Sequence, residues 1–178
     1  MSLAKKMIDS AKKNGADICK FQTWSEKNLT AGSWDQDGRR EIYKKAQLNE
    51  KQHIELKEYC ETKKIKFLTT IFNKNDLNFL SKINSEMIKI GSSEVYNLDL
   101  IKNCLLKFEK VIVSTGAAKW EEIKQIASIK NNNMILLHCV SAYPCNAENV
   151  NLPRMEELKK YSSEIGYSGH FKGIDDAI

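Results

Sequence analysis

Two lysines stand inside apolar runs that read as strands: Lys20 in "ICKFQT" and Lys89 in "MIKIGSSE". A buried ammonium is costly unless an anion or a carboxylate meets it. A lysine at a strand end that reaches solvent would explain either one alone, but two of them favour an anion site. Hydroxyls recur at the ends of the expected strands, at Thr70, Ser92, Ser114 and Ser168. The "STG" of 114–116 precedes a helical pattern, so its backbone N–H groups and the helix dipole suit phosphate. Ser and Thr are also ordinary helix caps. A ligand carrying both a phosphate and a carboxylate would use the lysines and the hydroxyl ring together.

Other side chains suit proton transfer or a metal. Glu94 follows the Ser-Ser pair at a strand end, where it could act as general acid or base or simply stand solvated. His138, inside "ILLHCV", reads as a satisfied core residue. His170 follows "YSG" on a turn beyond a strand and is the better metal candidate. His53 lies on an exposed-looking helix and reads as inert. In "SAYP", Ser141 and Tyr143 sit on a rigid turn, and the phenol could face substrate or pack in the core.

Elements that would position these groups follow from the hydrophobic periodicity. Strands are expected at 17–22, 65–70, 86–90, 110–115, 134–140 and, weakly, 163–168. Helical patterns lie between them at 4–13, 49–63, 75–82, 97–107, 119–130 and 153–161. Asn49 with Gln52 is a capping-box start. Strict alternation implies a parallel sheet covered on both faces. Polar residues close almost every strand, which favours a (β/α)8 TIM barrel over a doubly wound sheet with one switch point. Only six strands can be counted, so the expectation is an incomplete barrel lacking its first and last strands. The stretch 24–48 breaks the repeat and reads as a polar excursion over the barrel mouth.

Composition narrows the function classes. The 178 residues are 42% hydrophobic and 29% charged, and no apolar run approaches a membrane span. No secretory signal is visible, so the cytoplasm is the default expectation. The five cysteines are unpaired by spacing and read as free thiols. A net charge of +5, spread along helical faces without an Arg-rich aromatic patch, argues against nucleic acid and suits a small anionic substrate.

Taken together, "GADICKFQTW", "IKFLTTIFN", "MIKIGSSEVYNLDLI", "VIVSTGAAKWEEI", "LLHCVSAYPCNAENVNLPRM" and "GYSGHFKGIDDAI" resemble the sialic acid synthase family of phosphoenolpyruvate-condensing enzymes. The resemblance implies a (β/α)8 barrel that condenses phosphoenolpyruvate with an N-acetylated amino sugar such as N-acetylmannosamine, releasing phosphate by C–O cleavage. It implies a divalent metal, Mn2+ or Mg2+, and a homodimer in a longer parent protein. By motif, Lys20, Thr70, Lys89, Ser92, Ser114 and Ser168 would hold phosphoenolpyruvate, with Lys89 and Glu94 at the chemistry. Ser141 and Tyr143 would meet the sugar, and His170 would be one of two metal histidines. The family's first strand, last strand and small C-terminal antifreeze-like domain have no counterpart within 1–178. "KIGSSE" and "TTIFN" depart from the family's usual proline, glycine and aspartate, pointing to a subgroup with another sugar. Two alternatives remain: a non-catalytic phosphate- or sugar-binding barrel fragment, and a related aldolase using a phosphorylated sugar.

Overall fold

Strands and helices alternate along the chain as the apolar runs require. The computed structural model describes residues 1–129, 132–174 and 176, apart from the Trp34 side chain, and the chain divides into two units, Met1–Asn84 and Ser85–Ile178. The first contains α1 (Ser2–Lys13), β1 (Ile18–Thr23), α2 (Arg39–Ala46), α3 (Glu50–Thr62), β2 (Lys66–Ile71) and α4 (Leu77–Ile83). Strand β1 pairs with β2 in parallel, with Lys20 opposite Leu68 and Gln22 opposite Thr70. At the start of α3 the Asn49 side chain accepts from Gln52 N–H while Gln52 Oε1 accepts from Asn49 N–H, both at 2.9 Å. That closes the expected capping box and satisfies two backbone donors.

Ile8, Leu56, Cys60, Ile65 and Phe67 form the core of this unit, with Cys19 and Phe21 packed against it. Each such aliphatic side chain contributes about 1.5–3 kcal/mol by leaving water. Because side chains alternate along a strand, Cys19, Phe21 and Thr23 face this core while Ile18, Lys20 and Gln22 point the other way. Lys20 is therefore exposed rather than buried, contrary to the expectation from its apolar neighbours. Its apolar neighbours belong to the opposite face of the same strand.

Stretch 24–48 is also more ordered than its polar composition predicts. It carries α2 and two 3₁₀ turns, Glu26–Asn28 and Ser33–Asp35. No residue of α2 is buried and Ile42 is 64% exposed, and its one aromatic contact among the described residues is Tyr43 edge-on to Trp24, so a broad apolar face does not hold it. Arg40 does: its guanidinium pairs with Asp35 and, at 2.8 Å, with Glu26, and donates to the carbonyls of Glu26, Leu29 and Thr30. A periodicity search has no access to a clasp of that kind.

The second unit contains β3 (Met87–Ile90), α5 (Leu98–Lys107), β4 (Lys110–Ser114), α6 (Trp120–Ala127), β5 (Met134–His138), α7 (Arg154–Leu158) and β6 (Glu164–Tyr167). Strands β3 through β6 pair in sequence order, each parallel to the next. Ile88, Ile90, Val111, Val113 and Leu136 are buried on one face, and Leu100, Ile101, Ile123, Ile126 and Leu158 of the helices are fully buried too. Helix α6 ends at Ala127, short of the expected 130, which lies outside the described residues. Helix α7 is a short turn and a half where the pattern predicted 153–161. Among the described residues no helix is long and apolar enough to cross a membrane.

Candidate active site

The register of the second unit places three of the expected binding residues on one face. Lys89 lies opposite Ile112, and Ser114 opposite Leu137, which in turn faces Gly166. Ser168 continues that face two residues on, its N–H donating to the His138 carbonyl at 2.9 Å. A Cβ on Gly166 would sit 2.8 Å from Leu137 Cδ2, so β6 packs closely on the Leu137 side chain there.

Lys89 Nζ reaches Ser168 Oγ at 3.5 Å, a long contact, and among the described residues it meets no carboxylate. Burial pushes its ammonium below the usual lysine range, with a smaller opposing contribution from Cys139. Ser92 stands on the turn after β3. Its Oγ accepts from the Gly116 N–H at 3.1 Å and contacts Cys139 Sγ at 3.2 Å. A Cβ on Gly116 would lie 2.7 Å from both Cys139 Sγ and Ser141 Oγ, so the loop after β4 is pressed against the end of β5. Ser92, Gly116, Cys139 and Ser141 are thus gathered beside the end of β5, and Lys89 meets Ser168. A half-buried cation that meets no carboxylate among the described residues and lies beside a serine hydroxyl can hold an anion.

Glu94 closes a 3₁₀ turn, Ser92–Glu94, two residues from Ser92, and accepts from Asn97 Nδ2 at 3.4 Å. That bond is weak enough to leave the carboxylate free for other partners. Tyr143 is 75% exposed, so core packing is ruled out, and its ring lies 4.2 Å from that of His170. His170 Nδ1 is 2.7 Å from the Val140 carbonyl, and the His170 carbonyl accepts from Cys145 N–H at 2.9 Å. A carbonyl only accepts, so Nδ1 carries the proton and Nε2 keeps its lone pair. That is the tautomer a metal ligand needs. Yet no group of three His, Cys, Asp or Glu side chains among the described residues could hold a metal ion. His170 fits one ligand position, and the remaining ligands would come from outside this set or from substrate.

Lys20 and Thr70 belong to the other unit, where they share a face of the β1–β2 pair with Gln22 and Leu68. Thr70 is 2% exposed and its hydroxyl has no hydrogen-bond partner among the described residues. On the opposite face lies a cluster that the sequence reading missed. His53, expected to be exposed, is fully buried. Its Nδ1 is 2.9 Å from the Asn49 carbonyl and its Nε2 is 2.8 Å from Thr23 Oγ1, which is 2.9 Å from Thr69 Oγ1. Donor logic fixes the direction: Thr69 donates to Thr23, Thr23 to Nε2, and Nδ1–H to the carbonyl. Its burial follows from the face of α3 that it shares with Leu56 and Cys60, both fully buried. His138 is buried as expected, its Nε2 2.7 Å from the Val150 carbonyl, on the core face beside Tyr167.

Comparison with known proteins extends the site's reading. A model of the NeuB family matches residues 7–178. N,N'-diacetyllegionaminic acid synthase of Campylobacter jejuni is 32% identical, over 98% of this chain and 58% of its own length. Human N-acetylneuraminate-9-phosphate synthase is 31% identical, over 98% of this chain and 53% of its own. Among solved structures, N-acetylneuraminic acid (sialic acid) synthetase from Leptospira borgpetersenii, in complex with citrate, superimposes with a TM-score of 0.88 at 35% identity, covering 98% of this chain and 61% of that one. The chain therefore spans between half and about three fifths of the length of these three relatives.

Proposed function

The chain belongs to the NeuB family, and from that premise we propose that it carries the phosphoenolpyruvate-binding part of a nonulosonic acid synthase. Parallel pairing within each unit and the likeness to the Leptospira synthetase support a (β/α)8 barrel as the complete fold. The observation that carries the proposal is Lys89: a half-buried ammonium that meets no carboxylate among the described residues and lies within reach of Ser168. A phosphate or carboxylate supplies the missing counter-charge.

In this reading Lys89, Ser92, Ser114 and Ser168 hold phosphoenolpyruvate. Ser141 and Tyr143 orient an N-acetylated amino sugar. The reaction joins carbon 3 of phosphoenolpyruvate to the sugar's aldehyde carbon. Water then adds at carbon 2, with Glu94 managing its protons, and the tetrahedral centre expels phosphate with the bridging oxygen. A divalent metal, Mn2+ or Mg2+, would act as Lewis acid on the aldehyde, with His170 Nε2 as one ligand. Lys89 and its hydroxyl neighbours restrain the phosphate so that carbon 3 is presented to the acceptor.

The test is phosphate release by the full-length protein from phosphoenolpyruvate labelled with 18O at the bridging position, with N-acetylmannosamine and Mn2+. Labelled phosphate supports the reading. Phosphoenolpyruvate binding without release favours a binding module, while unlabelled phosphate contradicts the proposed bond cleavage. The relatives' names include both a free sugar acid and a 9-phosphate, so acceptors with and without a phosphate belong in the same assay.

A further inference from the structure

The role of Cys139 is not settled by the family reading. Its side chain is 4% exposed, and it sits against two groups of the anion site, Ser92 and Gly116. We propose that Cys139 is a positioning residue whose thiol donates to Ser92 Oγ and thereby leaves the Ser92 proton free for a bound anion. The proposal rests on the reading of the Lys89 pocket as an anion site.

A serine hydroxyl has one proton and two lone pairs. The Gly116 N–H takes one lone pair of Ser92, at 3.1 Å. Contact with Cys139 Sγ at 3.2 Å then uses either the second lone pair or the proton. If the hydroxyl donates to sulfur, Ser92 has nothing left to offer an anion. If the thiol donates, both lone pairs are filled and the hydroxyl proton must point elsewhere. A pocket built around an uncompensated ammonium gains from the second arrangement, because each added donor strengthens anion binding. The thiol is also fixed in place: Gly116 leaves room for sulfur where any side chain at 116 would collide with it at 2.7 Å.

A double-mutant cycle on the full-length protein reads this coupling, with inorganic phosphate as the calorimetric probe and the KM for phosphoenolpyruvate as a second readout. Cys139→Ala leaves the Ser92 hydroxyl held only by Gly116 N–H and free to rotate away from the anion, so phosphate binding should weaken about 5- to 10-fold, near the value of one neutral hydrogen bond. Cys139→Ser, which keeps a donor, should stay within about 3-fold of wild type. In a Ser92→Ala background, Cys139→Ala should cost nothing further. An equal loss in both backgrounds would make Cys139 a packing residue and overturn the proposal, as would undiminished binding by Cys139→Ala. If Cys139→Ala fails to fold, weak binding by a folded Cys139→Ser overturns it equally. Absence of phosphate binding by the wild type overturns the anion-site reading itself, and this proposal with it.

Discussion

Each unit gathers hydroxyls and a basic side chain near the C-terminal ends of its strands, but the two clusters are organised differently. In the first, Thr69, Thr23, His53 and the Asn49 carbonyl bond one another at 2.8–2.9 Å in a chain whose three side chains are buried. Every donor in it is consumed. In the second, Lys89 makes a single 3.5 Å contact with Ser168, while Ser92 is held by Gly116 and Cys139. Its cation is left without a counter-charge among the described residues. Residue type is a poor guide to function here: what separates a structural network from a binding site is whether the polar groups exhaust one another. A satisfied network contributes to stability, whereas an unsatisfied cation costs stability until a ligand arrives.

The contrast can be sharpened by substitutions, beginning with the largest expected effect. Glu94→Gln keeps the shape of the turn and removes a proton acceptor, so turnover should fall about 100-fold or more while phosphoenolpyruvate binding persists. A change in KM alone would make Glu94 a residue that positions the sugar. Thr23→Val removes the donor to His53 and strands a buried nitrogen, which should cost about 1–3 kcal/mol in urea unfolding with phosphate binding unchanged. Loss of binding without loss of stability would erase the distinction between the clusters. Gly116→Ala forces a methyl group against Cys139 and Ser141, so phosphate affinity should drop about 10-fold, with about 1–3 kcal/mol of overpacking.

The smallest effect is a pH dependence confined to the first cluster. Burial holds the His53 imidazole below its ordinary value of 6.5. On acidification the unfolded chain therefore takes up the proton first. Stability from this group is complete above pH 6.5 and is lost as pH falls from there through the folded value. Unfolding curves between pH 7.5 and 5 should show that decline in the wild type and a shallower one in His53→Gln. Identical slopes would remove His53 from the account.

Much of this was legible in the sequence, for physical reasons. Strand positions follow from apolar runs that the parallel pairing buries, and the observed strands fall within a residue or two of those expected. Lys89, Ser114 and Ser168 share a face because side chains alternate, which a register-free reading cannot know but is consistent with. Lys20 was misread because burial belongs to a face and not to a strand. His53 was misread because its partners, Thr23 and Thr69, lie 30 and 16 residues away in the chain, and only the fold joins them. Cys139 offered no signal beyond its apolar setting, since its significance depends on a glycine 23 residues earlier.

Lys89→Met tests the central claim most directly, measured for phosphate binding and for thermal stability without ligand. Methionine keeps the aliphatic volume and removes the desolvated charge. Phosphate affinity should fall at least about 10-fold, the value of a charged hydrogen-bonding partner, while the melting temperature of the ligand-free protein stays level or rises. His53→Ala, run beside it, should show the reverse, with a lower melting temperature and intact binding. Unchanged phosphate affinity in Lys89→Met, or a melting temperature that drops as far as that of His53→Ala, would contradict the assignment of the second cluster as the anion site.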